Sequence, residues 1–352
     1  MTEIALLADT HFGARNDNPH YNKYFYKFYD EIFFPYIEAN HIQDVIHLGD
    51  VLDRRKFVNF KTLSDFNNNF VKRLIDGRRN VDIIVGNHDT YYKNTNDINA
   101  PDELLDPIMF NVHREPTVQT IGGMKMLFLP WVNSQNIERT TMMLEQESAD
   151  IVLGHLEIKG FEMHNGHIST NGLEKKLFRR FETILSGHFH KKSDDGHIFY
   201  LGSPYEFNWA DHNCPKGFHI LDTETREIKH IKNPYTIHEK IYYNDEENDY
   251  KDFDFDKYKD KYIKLIVEKK KDYFLFDKFL DGFYKTDIND IKVIEDYSDL
   301  DASTVADDIA ERSEDTPTLL DNYIEQLETD LNKDKLKTLL KSLYTEAGDI
   351  EV

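Results

Sequence analysis

The nine residues Val81-Asp82-Ile83-Ile84-Val85-Gly86-Asn87-His88-Asp89 decide how the rest of the chain is read. The first five are β-branched and apolar apart from Asp82, the composition of a short buried strand. The run stops at a glycine, and three side chains able to hold a metal or move a proton follow at once. A lone histidine or Gly-Asp pair in a loop is commonplace, as a structural histidine or a turn. A Gly-Asn-His-Asp tetrapeptide is much rarer by chance.

Outward from it the same arrangement recurs. Asp9-Thr10-His11 follows an apolar run at 4–8, Gly49-Asp50 follows 44–48, Gly154-His155 closes 151–154, and Gly187-His188-Phe189-His190 follows 183–186. In layered α/β proteins, ligand sites gather where loops leave the carboxyl ends of strands, and glycine lets backbone and ions approach closely. In Asp9-Thr10-His11 and His188-Phe189-His190 the two candidates are two residues apart, so an extended segment turns both the same way. Oxygen from Asp and Asn mixed with imidazole suits manganese, iron or zinc better than calcium. The lack of thiolates argues against a structural zinc site.

Further strands are expected at 124–129, 198–201 and 217–221, and helices at 21–37 and 61–76, which makes an α/β (α+β) layered domain. Tyr21, Tyr24, Phe25, Phe28, Tyr29, Ile32 and Tyr36 recur at helical spacing, a stripe suited to a core rather than a cofactor box. After Asn233-Pro234 the composition shifts to Tyr, Asp and Lys, with a polar connector at 244–261. A strand at 262–268, a helix at 272–282 and a strand at 291–295 then suffice for a small α/β cap. From Glu295 to Asp315 there are nine acids and one basic residue, Arg312, the pattern of a solvated linker. Thr316-Pro317 opens a helix as N-cap and first-turn proline. Leu319, Leu320, Tyr323, Ile324 and Leu327 line one face, and Leu336, Leu339, Leu340 and Leu343 line a second helix. The expected organisation is a main domain at 1–235, a capping domain at 236–298, an acidic linker at 299–315 and a helical motif at 316–347. That motif either binds a partner or docks back on the body.

At 352 residues the chain has room for one large domain and one or two small ones. No apolar run approaches the roughly 20 residues of a membrane helix. The N-terminal apolar stretch lacks a basic leader and runs straight into Asp9, as a first strand would and a signal peptide would not. A single cysteine, Cys214, excludes an internal disulfide and fits a reducing compartment, the cytoplasm by default. The net charge of −22 disfavours DNA binding by the chain alone, because affinity for phosphates comes from Lys and Arg.

The ordered blocks resemble the calcineurin-like metallophosphoesterases, whose signature runs D-x-H, G-D-x-x-D, G-N-H-D, G-H and G-H-x-H. Within that group the chain is similar to the double-strand-break repair nucleases: the meiotic recombination nuclease, bacterial SbcD and the recombination endonuclease subunit of tailed phages. The phage subunit is the nearest in pattern, through Ala8-Asp9-Thr10-His11-Phe12-Gly13, Tyr92-Lys93-Asn94, Leu129-Pro130-Trp131, Ser186-Gly187-His188-Phe189-His190 and Gly202-Ser203-Pro204. This similarity covers about residues 1 to 240.

The resemblance implies a two-sheet β-sandwich flanked by helices, with the cap and C-terminal helices added. It implies two manganese ions, with magnesium as substitute, one held by Asp9, His11, Asp50 and His190 and the other by Asp50, Asn87, His155 and His188. Asp50 bridges them, since neighbouring cations need an anion between them, and a hydroxide they share attacks the phosphodiester. His88 is implied as the catalytic residue that stabilises the transition state or protonates the leaving oxygen. Asp53, where some relatives carry histidine, is the other catalytic candidate, as an anchor for Arg54 or a ligand histidine. A homodimer through helices of the main domain, a coiled-coil ATPase of the SMC type on the C-terminal helices, and DNA as substrate are implied as partners. Arg15, Tyr92 and Lys93, with Lys56 and Tyr91 nearby, are candidate DNA contacts, and Lys269-Lys270-Lys271 is the main basic run of the cap. The alternatives are a phosphomonoesterase or cyclic-nucleotide phosphodiesterase on the same metals, or a scaffold protein whose site has decayed. The segment after about Tyr235 speaks against the first, and the complete ligand set against the second.

Overall fold

The strands expected before each ligand block form, and they run parallel. The computed structural model describes residues 2–164 and 167–295, with Ile324, Lys333, residues 335–337, Leu339 and Leu340 beyond them. The acidic linker 299–315 and Leu319, Leu320, Tyr323, Leu327 and Leu343 lie outside the described residues. The chain divides into two units, Met1–Phe207 with Asp211–Glu239, and Asn208–Ala210 with Lys240–Val352.

In chain order the first unit carries β1 (Glu3–Leu7), β2 (Asp44–His47), β3 (Asn80–Ile84), β4 (Phe110–His113), β5 (Thr117–Ile121), β6 (Met124–Leu129) and β7 (Ile151–His155). A short antiparallel pair follows, β8 (Glu162–His164) and β9 (His167–Ile168), then β10 (Thr183–Gly187), β11 (Ser193–Asp194), β12 (Ile198–Tyr200), β13 (Gly217–Asp222) and β14 (Ile228–Lys232). One sheet has the order β14-β13-β1-β2-β3-β4 and the other β11-β12-β10-β7-β6-β5. Strands β1 to β4 are mutually parallel, as are β12, β10, β7 and β6, with antiparallel strands at the margins.

Alternation along each strand decides what faces what. Ile4 and Leu6 of β1 share a core with Met126 and Phe128 of β6 and Ile151 and Leu153 of β7, so the sheets pack face to face. The intervening Leu127, Leu129 and Val152 point outward into a second core with Leu144 of the helix Ile137–Gln146, and with Phe178. The aromatic stripe is core: Phe28, Phe33 and Tyr36 meet Phe218 of β13 at 6.2, 5.0 and 5.5 Å. That helix is not uniform. Pro35 lacks the N–H an α-helix needs, and the chain widens into a π turn at Tyr29–Phe33, with Phe34 N–H donating to Tyr29 O, between Pro19–Phe28 and Phe34–Ala39.

The second unit holds a sheet of order β15-β16-β17, from β15 (His238–Asn244), β16 (Tyr262–Lys269) and β17 (Asp290–Ile294). The helix Tyr273–Tyr284 covers it with Phe276, Phe279 and Phe283 against Tyr243 and Leu265. Strand β15 falls where the sequence suggested only the start of the cap. Of the terminal motif, Ile324 is buried, Leu336 and Leu340 are half-buried and Leu339 is 56% exposed. No helix among the described residues is long and apolar enough to cross a membrane.

Candidate metal centre

Parallel strands of both sheets deliver their loops to one place. β1, β2 and β3 end in Asp9-Thr10-His11, Asp50 and Asn87-His88, while β7 and β10 end in His155 and His188-Phe189-His190. The approach is close enough that glycine is required at Gly86: a Cβ there would stand 2.2 Å from Asp50 Oδ1 and 2.3 Å from Asp50 N.

The loops hold an unusual backbone. Asp9, His11, Asp50 and His188 have φ of 53°, 42°, 55° and 90°, in the left-handed region that residues with a Cβ avoid. Each is fixed by a bond from its own N–H: Asp9 to Gly49 O and His11 to Asp50 O, both at 3.0 Å, and Asp50 to Asp89 Oδ2 and His188 to Asp9 Oδ1, both at 2.9 Å. Thr10 between the first two is clamped three ways. Its hydroxyl donates to Val51 O (3.1 Å) and accepts from His47 Nε2 (3.0 Å), and its carbonyl accepts from Tyr205 OH (2.7 Å). Tyr205 in turn stacks on Phe25 at 4.0 Å, which ties the aromatic helix to the site.

Among the described residues three groups of possible ligand atoms result, the atoms of each within 4.8 Å of one another: a first cluster of Asp9, His11 and His190, a second of Asp50, His155 and His188, and a third group, His11 with Asp53 and His88, that overlaps the first. His11 Nε2 lies 3.1 Å from His190 Nε2 and 3.6 Å from Asp50 Oδ2, so Asp50 faces both clusters. In the second cluster His155 Nδ1–H donates to Leu48 O (2.8 Å), which leaves Nε2 toward Asp50 Oδ2 at 3.3 Å and Asn87 Oδ1 at 3.0 Å. His188 Nδ1 is 3.0 Å from the same Asn87 oxygen. Lone pairs crowded this closely repel unless a proton or a cation lies among them. Burial opposes charge on His155, but Asp50 outweighs it and the group rises to about 9. Burial would likewise raise Asp50, yet His155, His88 and His11 hold it well below the carboxylate range. Burial keeps His11 and His188 neutral, the state in which imidazole binds a metal. The donor set therefore fits divalent cations, with oxygen and nitrogen in both clusters.

His88 stands at the mouth. Its N–H donates to Asp50 Oδ1 (2.8 Å) and its Nδ1–H to Asp53 O (2.6 Å), so Nε2 is left to serve a substrate. The Asp53 carboxylate lies 3.5 Å from His11 Nδ1, whereas Arg54 pairs with Asp17 at 2.8 Å. Arg15, Tyr92 and Lys93 are exposed. Arg15 lies over the Tyr21 ring, Lys56 over Tyr91, and Lys270 is paired with Glu295.

The calcineurin-like phosphoesterase family description matches residues 2–192. Exonuclease subunit 1 of enterobacteria phage T4 is 31% identical over 318 residues, 89% of this chain and 90% of that one. The chain belongs to the calcineurin-like phosphoesterase family. It is a metal-dependent phosphoesterase, and the clusters are candidate sites for its metal. The SbcD component of the SbcCD nuclease of Staphylococcus epidermidis is 25% identical over 99 residues, 26% of each chain. Among solved structures, an archaeal phosphodiesterase is similar at 15% identity, over 66% of this chain and 100% of that one, with a TM-score of 0.34. A purple acid phosphatase from yellow lupin seeds is similar at 13% identity, over 62% and 49%, with a TM-score of 0.39.

Sequence reasoning missed several residues that position the phosphoesterase site. Asp89, fully buried, accepts from the N–H groups of Asp50 (2.9 Å), Val51 (2.9 Å), Leu52 (3.3 Å) and Gly86 (2.9 Å). Burial and Asp50 push its carboxyl up to about 6, against the N–H groups of Gly86 and Leu52. Its place in Gly-Asn-His-Asp was the available signal. Lys216 is buried with Asp211 and donates to His190 O (2.9 Å) and Ser203 Oγ (2.7 Å), and nothing in its sequence context marks it.

Proposed function

We propose that this chain is a manganese-dependent DNA nuclease, the nuclease subunit of a complex with an SMC-like ATPase, that processes DNA ends in recombination and repair. The observation that carries the reading is the pair of clusters joined by Asp50, with His88 at their mouth, held through its backbone N–H and Nδ1. The names of both relatives, one an exonuclease subunit and the other a nuclease subunit, support DNA as substrate and a partner protein.

Asp9, His11, Asp50 and His190 would hold one ion and Asp50, Asn87, His155 and His188 the other, with magnesium as a substitute. Bound there, two divalent cations supply positive charge to the phosphoryl oxygens and lower the pKa of a water beside them. The chain's own part is orientation and proton transfer. Asp50 is locked by Asp89 and by His88 N–H, so its carboxylate cannot swing away from either cluster. His88, with Nδ1–H engaged by Asp53 O, presents Nε2 to the phosphoryl or leaving oxygen, where a protonated imidazole stabilises charge or donates its proton. Asp53 acts as a positioning residue, through its carbonyl on His88 and its carboxylate beside His11.

The metals and the ATPase offset the −22 charge that otherwise repels DNA. A homodimer has a surface to use: Phe57 and Phe60, at the start of the helix Phe60–Phe66, are 65% and 90% exposed. The C-terminal helical motif is the proposed ATPase contact, and the host cytoplasm the proposed location.

The test is cleavage of linear DNA by the purified chain in manganese, beside His88→Ala and a phosphomonoester. Cleavage lost in the variant, with the monoester untouched, is expected. Turnover of the monoester alone would make the chain a phosphatase and overturn the proposal.

A further inference from the structure

Trp131, in the Leu129-Pro130-Trp131 motif, borders the metal centre without being one of its candidate ligands. Its ring centre is 5.0 Å from that of His188 and 6.1 Å from that of His155, on the rim of the second cluster. The first cluster has an aromatic neighbour in the same relation, Phe207, at 5.3 Å from His11 and 5.1 Å from His190. Phe207 is buried, as a brace for histidines should be. Trp131 stays half-exposed, beside the half-exposed His188.

The backbone that carries this half-exposed residue is held rigidly. The Trp131 backbone N–H donates to Val85 O at 2.8 Å, and its carbonyl accepts from Asn96 Nδ2 and Asn136 Nδ2, both at 2.9 Å. Asn96 and Asn136 are themselves buried, and Asn133 Nδ2 donates to Asn96 Oδ1 at 2.9 Å. Three buried or half-buried amides thus fix one aromatic residue at the mouth of a phosphoesterase site. A flat, firmly anchored π surface beside a phosphate-binding centre suits a nucleobase, because every base has a face to stack and stacking needs no particular sequence.

We propose that Trp131 is the platform on which the base next to the scissile phosphate stacks, an inference that rests on the nuclease reading above. A base inside a duplex has both faces covered by its neighbours, so the base that stacks here is unpaired or belongs to the terminal pair. The substrate class is single-stranded DNA or a DNA end. Trp131 is then a specificity-determining residue that separates nucleic acid from simple phosphoesters.

The test uses the full chain loaded with manganese and two DNA oligomers of equal length, oligothymidylate and an abasic deoxyribose-phosphate chain. Both carry the same phosphates. Wild type should show a KM about tenfold lower for oligothymidylate, the effect of one stacked base. Trp131→Ala should raise that KM to the abasic value while leaving kcat and the abasic KM in place, and Trp131→Phe should recover most of the difference. Phosphorothioate-protected oligothymidylate should also quench wild-type indole emission, and the abasic chain should not. Equal KM for the two oligomers in wild type overturns the inference and leaves the nuclease reading intact. A loss in Trp131→Ala that is the same on both oligomers also overturns it, since Trp131 would then only brace His188. If wild type cleaves neither oligomer, the inference falls, and linear duplex DNA in manganese decides whether the nuclease reading falls with it.

Discussion

Replacing Asp89 by asparagine changes one atom, and the structure gives its consequence a size. The two carboxylate oxygens accept four backbone N–H groups, those of Asp50 and Gly86 on Oδ2 and those of Val51 and Leu52 on Oδ1. An amide keeps one oxygen, so whichever way it turns, two buried N–H groups face an NH2 that donates. Each orphaned buried donor costs about 1–3 kcal/mol, so the variant should lose about 2–6 kcal/mol. For a domain of this size that is a fall in Tm of roughly 5–20 °C. The same bonds shape the turn that aims Asp50, so manganese affinity should drop by about 10- to 100-fold, as when a ligand's support is removed. The assay is thermal unfolding by circular dichroism in EDTA, at a pH well above the Asp89 value of about 6 so that the wild-type carboxylate is charged. Calorimetric titration with manganese follows. A variant that melts within about 1 °C of wild type would show that these four bonds contribute nothing net, and the reasoning would be wrong.

Gly86→Ala must displace Asp50, because the added Cβ meets its Oδ1 at 2.2 Å and its backbone N at 2.3 Å. A shift of about 1 Å in a reacting group should lower kcat by about 100-fold, measured on any phosphodiester the wild type cleaves. Manganese at about 100 times its Kd should stabilise the chain by about 2.7 kcal/mol per site, seen as a rise in Tm that EDTA reverses and His190→Ala diminishes. His219, on β13 against His230 of β14, is lowered to about 3 by burial and by His230. Between that value and the ordinary 6.5 the unfolded chain takes up a proton that the folded chain refuses, so stability falls as pH falls through this window. In His219→Phe the acid slope should be shallower by about 1.4 kcal/mol per pH unit, read from denaturant titrations across that range.

How far the sequence was legible depended on where the polarity lay. Strands that end in ligand blocks were visible because apolar runs stop abruptly at glycine, as at Val85-Gly86 and Leu48-Gly49. Strand β4 was hidden by its own polar residues, since Asn111 and His113 are satisfied by Asp82, with His113 Nε2 2.7 Å from its carboxylate, and so break the apolar pattern. Edge strands β5 and β14 alternate weakly because one side of each is open. The helix at 19–39 was legible from its aromatic stripe, but the π turn before Pro35 depends on backbone bonds that spacing does not encode. At the centre, residues that would touch metal announced themselves by type and position. Those that act through other groups did not: His47 and Lys216 carry no motif, and Thr10 and Asp89 were hidden inside one.

The role of Asp50 as the carboxylate that joins two metal sites in one chain is tested by the manganese bound per chain, counted by equilibrium dialysis with wild type and Asp50→Asn. Wild type should hold two ions and the variant at most one, because its amide cannot supply the anionic bridge. A single ion in wild type, or two retained in Asp50→Asn, would contradict it.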